Sequence, residues 1–161
     1  MEKNKSIAKN KFILIGLLII ILIFMYESTQ INLPLSAPNL IVKVNGKKFE
    51  ATKNEYNWSS FKNSNSNLGY RVVEVAKKIK PYKVPGEGHL KLMLSSNKNI
   101  KNFNVKQVLG TDKENYVLKD IDLTNDSIRV PKEAGEYTYF IYAGWDEDHF
   151  VEYIVKVVVE E

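Results

Sequence analysis

The chain has 161 residues, enough for one domain with short appendages. It contains no cysteine, which excludes disulfide bonds, thiolate metal ligands, a cysteine nucleophile and a lipid-bearing cysteine. The formal net charge is +4, but residues 43–106 carry 14 Lys and Arg against four Glu, and residues 107–161 carry five against 13 Asp and Glu. A basic total of this size does not by itself indicate nucleic-acid binding, and we expect no nucleic-acid partner.

The first predicted element is an apolar segment, residues 12–26, which has no charge and follows four lysines. It is either a cleaved signal peptide or a retained transmembrane helix. Such a helix extends only about 22 Å, whereas the hydrocarbon core is about 30 Å thick. Cleavage needs small residues at the end of the run, and Met25, Tyr26 and Glu27 are bulky. We therefore predict a retained anchor.

The basic flank also sets the predicted orientation, because Lys and Arg concentrate on the cytoplasmic side of a membrane segment. We expect a single-pass protein of the cell membrane, with its N-terminus in the cytoplasm and its C-terminal domain extracellular. Residues 1–27 form the predicted flank and anchor. Residues 28–38 form a linker that extends at most about 40 Å, and residues 39–161 form the domain.

The domain begins with a predicted β-hairpin. Residues 40–44 are apolar and β-branched, and residues 47–51 form a second extended run. Asn45 and Gly46 separate the two runs, and a type I′ turn requires positive φ at both central positions. The sequence therefore predicts two antiparallel strands joined by this turn.

The middle of the chain is less regular. Residues 56–61 are a candidate strand, and residues 62–69 have the composition of an exposed loop. Residues 71–79 fit either a strand or one short helix. Pro81 and the Pro85-Gly86 pair then interrupt regular structure.

The remaining candidate strands share short runs of alternating apolar residues. They cover residues 89–94, 103–109, 116–118, 127–130, 136–143 and 150–159. The last two alternate most clearly, and the polar residues 144–149 between them have the length of a hairpin connection. Short strands at this spacing favour an all-β antiparallel sandwich preceded by one N-terminal transmembrane helix.

Several turn and core motifs also resemble a known group of domains. The motif residues are Val42-x-Val44-Asn45-Gly46, Trp58, Pro85-Gly86, Pro131 with Gly135-x-Tyr137, and Trp145. Together they are similar to uncharacterised exported immunoglobulin-like β-sandwich domains of Gram-positive bacteria, over residues 39–161. The resemblance implies a fold and a location, with Tyr137 as a tyrosine-corner residue. It implies no established activity, and this chain lacks the cysteines that many such domains carry.

Three groups of side chains are candidates for chemistry. Asp146, Glu147, Asp148 and His149 carry the groups that bind hard cations, but this composition is also typical of a solvated hairpin tip. Trp58 and Trp145 fit either a sugar-stacking platform or core packing. In both cases we favour the structural interpretation, and we predict no catalytic residue, metal or cofactor.

The third group is basic: Lys77, Lys78, Lys80 and Lys83. These lysines are candidates for contact with an anionic lipid surface or an anionic envelope polymer. The alternative, which we favour, is a solvated loop in which the basic half of the domain pairs with the acidic half. A face that is shared with Lys91 and is free of acidic residues would favour the binding interpretation.

The sequence thus favours a non-catalytic, membrane-tethered interaction module outside the cytoplasm. Its expected partners are the membrane and an envelope protein or anionic envelope polymer. One alternative is a metal-dependent or hydrolytic site at residues 144–149. Another is an accessory or sensor subunit of a membrane complex.

Overall fold

The computed structural model describes residues 13–26, 33–59 and 64–160. Residues 13–26 are helical (α1) and belong to a first compact unit, and the chain from Pro34 onward forms a second. Within these three stretches, no helix combines the length and the apolar character needed to cross a membrane. The predicted basic flank and residues 28–32 of the predicted linker lie outside the described residues.

The described part of the second unit is built from eleven β-strands and one short helix. The helix, α2 (Val72–Lys78), follows the fourth strand. The strands are β1 (Leu40–Val44), β2 (Lys47–Glu50), β3 (Thr52–Ser59), β4 (Ser64–Asn67), β5 (Tyr82–Val84), β6 (His89–Leu94), β7 (Asn102–Leu109), β8 (Val117–Asp120), β9 (Ser127–Arg129), β10 (Gly135–Gly144) and β11 (Phe150–Val159).

These strands form two sheets. The smaller sheet has the order β2-β1-β6-β9, and the larger has the order β4-β3-β11-β10-β7-β8. All neighbours along these two paths are antiparallel. Strand β5 runs parallel to the end of β11, beyond the part of β11 that pairs with β3. The predicted antiparallel β-sandwich is confirmed at this level of detail.

The core lies between the sheets and is built by residues spaced two apart. In β11, Tyr153, Val155 and Val157 are at most 1% exposed. Strand β6 contributes Leu90 and Leu92 from the facing sheet. Each such aliphatic side chain stabilises the fold by about 2 kcal/mol when it leaves water. Because side chains alternate across a strand, this burial also decides which residues point outward.

The predicted hairpin at the start of the domain is confirmed. Strands β1 and β2 are antiparallel, with Val44 opposite Lys47. Asn45 and Gly46 have φ values of 46° and 80°, the positive values that the type I′ turn requires.

Two predictions for the middle of the chain are wrong. Ser64–Asn67 was expected in an exposed loop but forms the edge strand β4, whose four side chains are all exposed. No apolar alternation marks such a strand in the sequence. Tyr82–Val84 lies between two predicted breaks but forms β5, because prolines are tolerated at strand ends. Pairing with β11 and burial of Val84 hold it in place.

The ambiguous segment before these prolines is the helix α2. Its buried residues Val72, Val73 and Ala76 lie on one side of the helix. They pack against Ile154 and Val108, on the face of the larger sheet that points away from the sandwich core. The helix therefore covers part of a sheet face that would otherwise expose apolar side chains to water.

Tyr137 tests the turn between β9 and β10. Its hydroxyl donates a hydrogen bond to the Glu133 carbonyl oxygen, with an O–O distance of 2.8 Å. We expect Tyr137→Phe to lower the free energy of unfolding by about 1 kcal/mol, because only this bond is lost. The measurement is urea unfolding, with Tyr82→Phe as the control, because that ring keeps its stacking on Phe49. Equal losses in the two variants would contradict the assignment.

Candidate functional site

The tip of the β10–β11 hairpin, residues 145–149, is organised by a buried histidine. His149 is 5% exposed. Its Nδ1 lies 2.6 Å from Asp146 Oδ1, and its Nε2 lies 2.8 Å from the Ser59 carbonyl oxygen and 3.1 Å from Ser59 Oγ. The ring therefore bridges the hairpin tip and the end of β3.

The chemical nature of these partners determines how each ring nitrogen of His149 takes part in its hydrogen bond. A carbonyl oxygen only accepts hydrogen bonds, so Nε2 donates to Ser59. Burial alone would raise the pKa of the Asp146 carboxyl, but hydrogen bonds from His149 and from the Asp148 amide lower it below its usual value. The ring of His149 is held between the Asp146 carboxylate, which faces Nδ1, and Ser59, which faces Nε2.

Serine, histidine and aspartate thus meet at this tip, as in a hydrolase triad, but Nε2 of His149 lies closer to the Ser59 carbonyl oxygen than to Ser59 Oγ. A triad histidine must accept the serine proton on Nε2. Here the Ser59 carbonyl already occupies that nitrogen at 2.8 Å. The geometry makes His149 a bridge between two strands, and the contact with the Ser59 carbonyl occupies the nitrogen that would have to accept the serine proton.

The metal-binding alternative at this tip finds no support in the side-chain positions. Glu147 and Asp148 are exposed, while His149 points inward. No group of three or more His, Asp or Glu side chains that could hold a metal ion occurs in the described stretches of the chain.

The two tryptophans pack in the core beside His149. Trp58 and Trp145 are 2% and 1% exposed, and their rings meet edge to face with 4.9 Å between centroids. The ring of His149 lies 5.2 Å from Trp58 in a similar geometry. The Trp145 indole N–H donates to the Lys98 carbonyl at 2.8 Å. A sugar needs an exposed indole face, so the stacking-platform hypothesis is wrong and core packing is confirmed.

The four lysines singled out from the sequence lie in α2, just after it, and in β5, which pairs with the larger sheet. They are Lys77, Lys78, Lys80 and Lys83. Lys77 and Lys78 occupy the last turn of α2, where a cation interacts favourably with the helix dipole. The Lys78 ammonium also lies 5.5 Å from the centre of the Tyr70 ring.

Only part of the expected charge pairing is seen. Lys83 forms an ion pair with Glu160, which joins the basic half of the domain to the acidic half. Lys91 lies in β6, in the other sheet, so it does not share a face with Lys83 and its neighbours. The structure does not bring the five lysines together.

A different basic feature lies on the outer face of the smaller sheet. Lys43 in β1 is directly opposite Lys48 in β2 and directly opposite Lys91 in β6. All three are exposed, because the alternation that buries Val42 and Leu92 turns the lysines outward. We call these three residues the lysine row. Among the described residues, no carboxylate forms an ion pair with any of them.

Of the charged residues near the lysine row, Arg129 and Glu87 pair with each other. In the adjacent register His89 is opposite Arg129, whose guanidinium bonds Glu87 Oε1 at 2.7 Å. Glu50 lies two residues from Lys48 in β2 and on the same face, and its charge raises the pKa of the Lys53 amine against the lowering that burial causes. Among the described residues, the row therefore has a carboxylate on its face but none in an ion pair with it.

Sequence reasoning missed this row for a definite reason. The pair Lys43–Lys48 follows from the Asn-Gly turn, because the turn fixes the local register. The pairing of β1 with β6 joins segments that are far apart in the chain, and no sequence signal indicates it.

Comparisons of this chain with protein-family models, curated proteins and solved structures return no match.

The Asp146–His149 pair makes a prediction about pH. The folded-state pKa of Asp146 is lowered, so its contribution to stability is full above the unfolded-state pKa and is lost as the pH falls through the folded value. We expect Asp146→Asn to lose about 1 kcal/mol at pH 7, since the side chain is 37% exposed and water screens the pair. The deficit should shrink below about pH 4. Urea unfolding as a function of pH measures it, and Asp148→Asn is the control. A deficit that does not depend on pH would contradict this account.

The lysine row makes a prediction about stability. Like charges directly opposite in a sheet are destabilising, so we expect Lys43→Glu to raise the free energy of unfolding by about 0.5 kcal/mol at low salt. Added salt should reduce the difference, because it screens exposed charges. The control is Lys119→Glu in β8, where the opposite residue is Gln107. A loss of stability in the Lys43 variant alone would contradict the pairing.

Proposed function

We propose that this chain is a membrane-tethered binding module that acts outside the cytoplasm and performs no catalysis. The observation that carries this proposal is α1. Its large apolar side chains are 47–75% exposed, and Gly16 is the only residue of the segment that is not exposed. A helix that is apolar on every side needs an apolar environment, and a lipid bilayer provides one. The lysines before it favour a cytoplasmic position for that flank.

The domain is, in this proposal, immunoglobulin-like. Strands β8-β7-β10-β11 lie side by side, with β5 parallel to β11, while β1, β6 and β9 belong to the other sheet. This order corresponds to the C′-C-F-G and A-B-E arrangement of immunoglobulin-like sandwiches. The hydrogen bond from Tyr137 to Glu133 corresponds to a tyrosine corner. Kinship with the exported Gram-positive domains is part of the same proposal.

The absence of catalysis is supported by the hairpin tip. In the described residues, the hydrogen bond between a histidine and a serine is that of His149 with Ser59, and Nε2 there lies 2.8 Å from a carbonyl oxygen, which accepts but does not donate. A module of this kind functions through a surface, and the outer face of the smaller sheet offers one with unpaired charge.

Topology can be tested by labelling, because the chain has no cysteine of its own. Val117 is 62% exposed in β8. In intact bacterial cells, we expect a membrane-impermeant maleimide to label Val117→Cys. We expect it to label the control Ser6→Cys, on the other side of α1, only after lysis. The protein should remain in the membrane pellet after alkaline extraction. A mature protein that begins after residue 28, or equal labelling of both positions, would contradict the anchor.

A further inference from the structure

We propose that the lysine row (Lys48, Lys43 and Lys91) is a binding site for a linear polymer of repeating phosphate groups. The inference deepens the proposed binding function by naming its ligand, and it rests on that function for the compartment in which the polymer is met. The polymer would lie across β2, β1 and β6, on the face that points away from the sandwich core.

The fold imposes this alignment of charges. Neighbouring strands lie about 4.8 Å apart, so the three lysines stand at one level across the sheet. Val42 and Val44 are buried on the opposite face of β1, at 0% and 5% exposure. A shift of register by one residue would bury Lys43 and expose these valines. The lysines therefore cannot separate by strand slippage, and their mutual repulsion persists unless an anion neutralises it.

The residue types favour phosphate as the anion. Arginine binds carboxylates and phosphates alike through two parallel hydrogen bonds, and the single arginine near the row, Arg129, already bonds Glu87. The remaining cations are lysines, which act as compact point charges on flexible stems and bind phosphate without a fixed fork geometry. Such a site recognises charge density rather than one specific orientation.

The surroundings favour a linear polymer over a bilayer or a globular partner. Of the apolar residues beside the row, Ile41 is half-buried and Met93 is 36% exposed, and both lie within the sheet rather than on a protruding loop. Bilayer insertion would need protruding apolar residues, and a protein interface is usually centred on large apolar or aromatic anchors. Lys91 and Asp126 line a depression of about 340 Å³ beside the row, without an ion pair between them.

The test uses the full chain in neutral detergent micelles, with long-chain inorganic polyphosphate as the probe. Three lysine contacts predict that log K falls with log salt with a slope of about −2, equivalent to a ~15-fold loss of affinity between 50 and 200 mM salt. The triple variant Lys43→Gln, Lys48→Gln, Lys91→Gln should weaken binding at least ~10-fold at 50 mM salt and nearly abolish the slope. Poly-glutamate of equal charge should bind more weakly than polyphosphate.

A matched control removes the same charge from the other side of the domain. The control is the triple variant Lys77→Gln, Lys78→Gln, Lys80→Gln. Its affinity for polyphosphate should stay within about twofold of that of the unchanged chain. Equal losses in the two triple variants would show that net charge rather than the row binds, and would overturn the proposal. The proposal is also overturned if the chain does not bind at 50 mM salt, or if poly-glutamate binds as tightly.

Lipid head groups also carry phosphate, and a second experiment distinguishes lipid binding from polymer binding. The chain held in phosphatidylcholine nanodiscs is mixed with phosphatidylglycerol vesicles. We expect no co-flotation, and co-flotation that the row variant abolishes would assign the face to lipid and overturn the polymer proposal. Labelling of Val117→Cys and Ser6→Cys reports separately on the membrane tether, so failure of one proposal is distinguishable from failure of the other.

Discussion

The burial of alternating apolar side chains between two sheets is the constraint on which the rest of this structure depends. Tyr139, Ile141, Val155 and Val157 are fully or almost fully buried at two-residue spacing. Once these positions are fixed inside, the positions between them must face outward. The same rule in β1 and β6 aligns the lysine row, so an unfavourable arrangement of charge follows from a favourable arrangement of apolar groups.

The hairpin tip depends on the same sandwich but is held by polar contacts. His149 connects Asp146 to the end of β3, and the edge-to-face packing of Trp58 and Trp145 fills the space beside it. A partly buried polar contact is stabilising only when its hydrogen bonds are complete. Both nitrogens of His149 have partners, so the ring holds the hairpin tip against the end of β3.

Much of the fold was predictable from the sequence because its signals are local. The Asn45-Gly46 turn, the alternation in residues 89–94 and the last two strands were all predicted, and the structure confirms them. The edge strand β4 could not be predicted, because Ser64–Asn67 has no apolar face. Strand β5 was missed because only its parallel partner β11 makes it a strand.

The candidate sites show the same difference between signals that lie close together in the chain and contacts that only the fold creates. The sequence placed a basic surface at Lys77–Lys83, a cluster visible along the chain, whereas the lysine row exists only through the pairing of β1 with β6. The contact between Ser59 and His149 is equally long-range. Sequence patterns therefore located the residue types that matter, and the topology decided which of them meet.

The most direct measurement of the central claim is an NMR titration of the full chain, in neutral micelles, with inorganic polyphosphate. The account predicts that amide and lysine side-chain signals of Lys43, Lys48 and Lys91 shift together and saturate, while those of Lys77, Lys78 and Lys83 stay in place. Shifts confined to the second group, or spread evenly over all exposed lysines, would contradict it.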